Sequence, residues 1–98
     1  MDRNSIIATL RQHEQELHRQ GVSHAALFGS FARGDATEAS DIDILIDLDP
    51  HVPLSVFDYV GLKDYIADLF DAPVDVVSRQ GLKAHLRTHA LAEAVDAF

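Results

Sequence analysis

The chain has no cysteine, which excludes disulfides and thiolate zinc sites. It is also poor in positive charge. Eight Lys and Arg stand against sixteen Asp and Glu, for a formal net charge of −8. Neutralising nucleic-acid phosphates takes clustered Lys and Arg, so no direct nucleic-acid partner is expected, whereas a basic protein would suit this charge. No apolar run approaches the ~18 residues of a membrane span. The opening Met1-Asp2-Arg3-Asn4-Ser5 lacks the pattern of a signal peptide. These absences lead to the expectation of a soluble cytoplasmic protein with no membrane partner. What is present is apolar enough to fold: 47% of the 98 residues are hydrophobic, well outside the range of disordered chains. One domain spanning residues 1–98 is expected.

Periodicity predicts an αβαβαβα order. Ile6, Ile7, Leu10 and Leu17 follow helical spacing, with Asn4 or Ser5 as N-cap and Gly21 as terminator. Val22 to Phe28 reads as a strand that Gly29-Ser30 breaks. Ser30 to Arg33 reads as a short helical turn ended by Gly34. Asp41 to Asp49 alternates strictly, with Ile42, Ile44, Ile46 and Leu48 on one face and Asp41, Asp43, Leu45, Asp47 and Asp49 on the other. Pro50 and Pro53 end that strand, and a helix over about 54–71 follows. Val74 to Ser78 is a third strand. Leu82, Leu86, Ala90, Leu91, Ala94 and Val95 suggest a last helix. The expected fold is α/β (α+β), a small mixed β-sheet of about three strands with packed helices.

The chemistry concentrates between Gly29 and Asp43. Ten residues separate Gly29-Ser30 from Asp41-Ile42-Asp43. Two aspartates on alternate strand positions share a face, roughly 6–7 Å apart. Such a pair can share divalent metals, which two-metal sites hold about 3.5–4 Å apart. A Gly-Ser turn opening a helix offers backbone N–H groups and a hydroxyl to an anion. Asp47 sits roughly 13 Å beyond Asp43 along an extended strand, too far to join one metal pair, so Asp47 and Asp49 are expected to be solvated. Asp75 is the one charged residue in the strand Val74 to Ser78. Charge is costly there unless paired or metal-bound, and if the two strands are neighbours Asp75 completes a three-carboxylate site.

Taken together, Gly29-Ser30-Phe31-Ala32-Arg33-Gly34, Ser40-Asp41-Ile42-Asp43-Ile44-Leu45-Ile46 and the later strand Asp75 resemble the nucleotidyltransferase fold of the DNA polymerase beta superfamily. Within it they resemble the minimal nucleotidyltransferase (MNT) antitoxins, which are encoded beside HEPN ribonuclease toxins. The resemblance implies that Gly29 and Ser30 contact phosphate and that Asp41 and Asp43 bind metal. It further implies that Asp75 is the third metal-binding and catalytic carboxylate, and that Arg33 supports a phosphate. It implies ATP as donor, two Mg²⁺ ions, and a hetero-oligomer in which AMP is transferred to a tyrosine of the HEPN toxin. The chain runs about one helix past Asp75, which leaves little surface for a drug or primer and favours an acceptor on a partner. Two alternatives use the same fold: an antitoxin that blocks its toxin by binding alone, and a dimeric small-molecule nucleotidyltransferase.

Other features are read more plainly. Arg79, Lys83 and Arg87 form a basic stripe at helical spacing, best read as a solvated face. His85 and His89 are four apart, a spacing that can hold a metal, but no acidic motif accompanies them. Leu54, Val56 and Phe57, and Val95 and Phe98 near the end, are expected mostly to pack in the core.

Overall fold

A computed structural model describes residues 1–81, 88 and 91–98. The first helix, α1, spans Arg3–Gln12. Its cap is Asp2 rather than Asn4 or Ser5: the Asp2 carboxylate accepts from the Ser5 N–H at 2.9 Å, and the Asp2 N–H donates to Ser5 Oγ at 3.1 Å. Ser5 is therefore the reciprocal partner in a capping box. The expected single helix also divides at His13. A nitrogen of the His13 ring bonds the Thr9 carbonyl at 2.8 Å, the acceptor that an uninterrupted helix would give to the His13 N–H. That N–H turns instead to Leu10 O. The second helix, α2, spans Glu14–Arg19.

The chain then makes strand β1 at Val22–Phe28, helix α3 at Gly29–Arg33 and strand β2 at Ile42–Leu48. Gly34 closes α3 in the left-handed conformation, φ 84°. Helix α4 spans Val56–Ala67, shorter than the expected 54–71, and starts at a second capping box formed by Ser55 and Asp58. Strand β3 occupies Val74–Ser78, followed by a tight helical turn at Arg79–Gly81.

β2 is central. It pairs antiparallel with β1 and parallel with β3, in the sheet order β3-β2-β1-β4. Ile42, Ile44 and Ile46 are fully buried on one face with Leu27, Ile6, Leu10, Leu17, Leu62 and Ile66. The alternation in β2 thus sets which face becomes core. On the other face Ala26 and Leu45 oppose each other and are also buried, outside that cluster.

The sheet is mixed as expected, and to the three strands read from the sequence it adds β4, Val95–Asp96, which lies antiparallel to β1 with Val95 opposite Leu27 and Asp96 opposite Ala26. Val95 is therefore a strand residue and not helical. An exposed β1 edge would leave backbone donors and acceptors unpaired, and the terminal segment takes them up, with Ala97 N–H bonded to Ala25 O at 2.9 Å. Arg11 Nε ties the same segment down through Ala97 O at 2.6 Å. Of the expected last helix, Leu82, Leu86 and Ala90 lie outside the described residues, as do Lys83, His85, Arg87 and His89.

Candidate active site

β1 ends level with the middle of the carboxylate group. Phe28, Asp43 and Asp75 are backbone partners in one row across β1, β2 and β3. Parallel pairing of β2 with β3 therefore sets Asp75 beside Asp43, on strands about 4.8 Å apart, and on the same face. Asp41 lies two residues before Asp43, just ahead of β2, and is exposed.

Because β1 stops at Phe28, the turn into α3 falls directly against Asp43. Gly29 takes φ +74°, and a Cβ built on it would fall on the Asp43 carboxylate, with Asp43 Cγ at 3.0 Å and Cβ at 3.3 Å. Glycine is required here twice, by the backbone conformation and by the seating of Asp43. Ser30 follows in the first turn of α3, half-buried, and its hydroxyl bonds no protein group among the described residues. Its carbonyl accepts the N–H groups of Gly34 and Asp35, which closes the turn.

The electrostatics of the site centre on Asp43. Partial burial pushes its carboxyl above the ordinary range, and the charges of Asp75 and then Asp41 push the same way, while Arg33 partly offsets them. The donors are oxygens throughout, as hard divalent cations such as Mg²⁺ prefer, and a cation would relieve the mutual repulsion that raises Asp43. In donor chemistry the three aspartates suit such an ion. They do not form a closed cage as they stand: among the described residues no three His, Asp or Glu side chains converge as a ready-made metal site.

Arg33 lies at the end of α3, near enough to influence Asp43 but engaged elsewhere. Its Nε bonds Asp35 at 3.1 Å and its Nη1 bonds Glu93 at 2.9 Å. Glu93 is a site neighbour with no local sequence signal, since it arrives with the terminal segment. Asp47 is not simply solvated as expected. It pairs with Arg79, Nε to Oδ1 at 2.6 Å, so Arg79 closes the acidic row beyond Leu45 and does not serve as part of an open basic stripe. Asp49 is used in the following turn, where its Oδ1 accepts from the His51 N–H. Ser40 shapes the loop before Asp41 by accepting from the Thr37 N–H at 2.8 Å. An open cleft of about 830 Å³ adjoins the site. Phe31, Arg33, Thr37, Glu38, Ser40 and the first four residues line it, while Asp41, Asp43 and Asp75 stand outside its wall.

Comparison with known proteins agrees with this geometry. The family model described as "Nucleotidyltransferase domain" matches residues 10–97. Protein adenylyltransferase MntA of Thermococcus cleftensis is 37% identical over 91 residues, which cover 92% of this chain and 90% of that relative. A solved structure of a proposed minimal nucleotidyltransferase superposes with a TM-score of 0.79 at 34% identity, covering 97% of this chain and 95% of its own. A crystal structure of a variant of the toxin–antitoxin pair MntA–HpeT gives 0.63 at 25% identity, covering 98% and 71%. With the Gly29-Ser30 turn seated against the row of Asp43 and Asp75, and with likeness along nearly its whole length, the chain belongs to the nucleotidyltransferase domain family and, within it, to the minimal nucleotidyltransferases.

Proposed function

We propose that this nucleotidyltransferase is an antitoxin that transfers AMP from ATP to a tyrosine hydroxyl of a HEPN ribonuclease toxin and so silences it. The observation that carries the reading is the row Phe28–Asp43–Asp75 with Gly29 seated against Asp43. It sets the Gly29-Ser30 turn and the β3 carboxylate of Asp75 on the two sides of one aspartate. The relative named as a protein adenylyltransferase and the solved toxin–antitoxin pair supply the acceptor class.

In this reading the Gly29 backbone and the Ser30 hydroxyl hold the triphosphate. Asp75 orients the tyrosine and accepts its proton at a carboxylate oxygen. The new bond joins the tyrosine oxygen to the α-phosphorus, the bond from that phosphorus to the bridging oxygen breaks, and pyrophosphate leaves. Asp41, Asp43 and Asp75 would hold Mg²⁺, which when bound neutralises phosphate charge. Positioning supplies most of the acceleration. The net charge of −8 is unfavourable to a nucleic-acid acceptor. No helix among the described residues is long and apolar enough to cross a membrane.

The test is incubation of the purified chain with α-phosphate-labelled ATP, Mg²⁺ and the purified product of the adjacent reading frame. A labelled adduct on tyrosine, together with loss of the partner's ribonuclease activity, is expected. Silencing of the ribonuclease with no label on the partner would refute catalysis as the means.

A further inference from the structure

Three large side chains are exposed within a short stretch of α4: Val56 at 79%, Phe57 at 88% and Val60 at 51%. Beside them runs a groove of about 540 Å³, whose apolar lining is Val52, Pro53, Leu54, Phe57, Gly61 and Tyr65. Phe57, Gly61 and Tyr65 follow at four-residue intervals and so share one helix face. Gly61 has no internal reason to be glycine. Its φ is not positive, and a Cβ placed on it would meet nothing within 4 Å. Alanine or leucine would make a better helix at this position. A glycine between two aromatic side chains on an exposed face suits a close approach from outside the chain.

The rim indicates what approaches. Among the described residues its one lining cation, Arg19, is already paired with Glu16, and Lys63 Nζ, nearby on α4, lies 5.6 Å over the Tyr59 ring. Asp58, which lines the groove and caps α4 through Ser55, and Asp64 further along α4 are both exposed. A second copy would bring the same acids and another net −8 against this face, so the complementary occupant is basic. Gly21 packs against Val52 and Leu54, and its neighbour Val22 pairs with Leu48. The groove therefore lies at the end of the sheet away from Asp43 and cannot hold a reacting hydroxyl.

We infer that this groove docks a helix of the acceptor protein, one that seats a bulky apolar side chain over Gly61 and carries Lys or Arg on its flanks. This is the helix-in-groove mode of recognition, and it rests on the reading that the acceptor is a protein. The test places p-benzoylphenylalanine at position 60 of the full chain in its native cells and identifies light-dependent adducts by mass spectrometry. One heterologous protein is expected, joined through a helical segment flanked by Lys or Arg and carrying AMP elsewhere on its surface. Gly61→Leu should raise the Tm by about 4 °C yet reduce the adduct at least tenfold. An adduct with a second copy, no adduct, or an adduct unchanged by Gly61→Leu would overturn the inference. AMP transfer that survives Gly61→Leu at the wild-type rate would overturn docking and leave the transfer reading standing. An adduct lost on Gly61→Leu, with no AMP on the cross-linked protein, would support docking and overturn the transfer reading.

Discussion

Replacing Gly29 with alanine should do two separable kinds of damage. The first is conformational. Residue 29 sits at φ +74°, and the left-handed region costs an L-residue about 1–2 kcal/mol. The second is steric. The added Cβ falls on the Asp43 carboxylate, and forcing a packed group aside costs about 1–3 kcal/mol more. Gly34 isolates the first kind, since it has φ +84° with nothing within 4 Å of a built Cβ. Gly34→Ala should therefore lower stability by about 1–2 kcal/mol and Gly29→Ala by about 2–5 kcal/mol. For a domain of this size the larger loss corresponds to a Tm drop on the order of 10–20 °C. The steric part depends on Asp43. In an Asp43→Ala background the carboxylate is gone and only Asp43 Cβ remains near, at 3.3 Å. Gly29→Ala should then cost about as much as Gly34→Ala. Thermal and urea unfolding of the four variants in the cycle would give a coupling of about 1–3 kcal/mol, the range for residues in contact. If Gly29→Ala costs the same with and without the Asp43 carboxylate, the two residues do not form one unit and the proposed architecture of the site fails.

Asp43→Asn should raise the Tm at neutral pH without metal, because the carboxyl is pushed up by burial and by Asp75 and Asp41. A raised carboxyl binds its proton more readily folded than unfolded, so wild-type stability recovers as pH falls through the folded-state value. The gap between the two proteins should then narrow in a Tm series taken from pH 7 to pH 4, and a gap independent of pH would contradict the assignment. Asp75→Asn should retain ATP binding by calorimetry while AMP transfer falls by about 10²–10⁴-fold; a wild-type transfer rate would remove Asp75 from the chemistry. Arg79→Ala leaves Asp47 without its partner and, as Arg79 is only half-buried, should cost only about 0.5–1 kcal/mol. In an Asp47→Asn background that cost should disappear in urea unfolding, and an undiminished cost would show that Arg79 stabilises by packing alone.

The parts of this protein that were legible in its sequence are those with a short period or a local turn. Ile42, Ile44 and Ile46 alternate with Asp43 and Asp47, which settles β2 and the face it gives to the main core, because successive side chains of a strand point to opposite sides of the sheet. Gly29-Ser30 and Gly34 mark α3 because φ above zero is open to few residues. Helix boundaries were less legible: a side chain such as His13 can take a carbonyl from the backbone, and a cap can sit at Asp2 with Ser5 as its reciprocal partner. The tertiary structure decided the rest. Asp75 stands beside Asp43 only because β3 pairs in parallel with β2, a long-range hydrogen-bond register that no local pattern encodes. The same holds for Val95, which becomes a strand by filling the edge of β1, and for the pairing of Asp47 with Arg79 and of Arg33 with Glu93. Each of these depends on which distant backbone or charge is left unpaired once the core has closed.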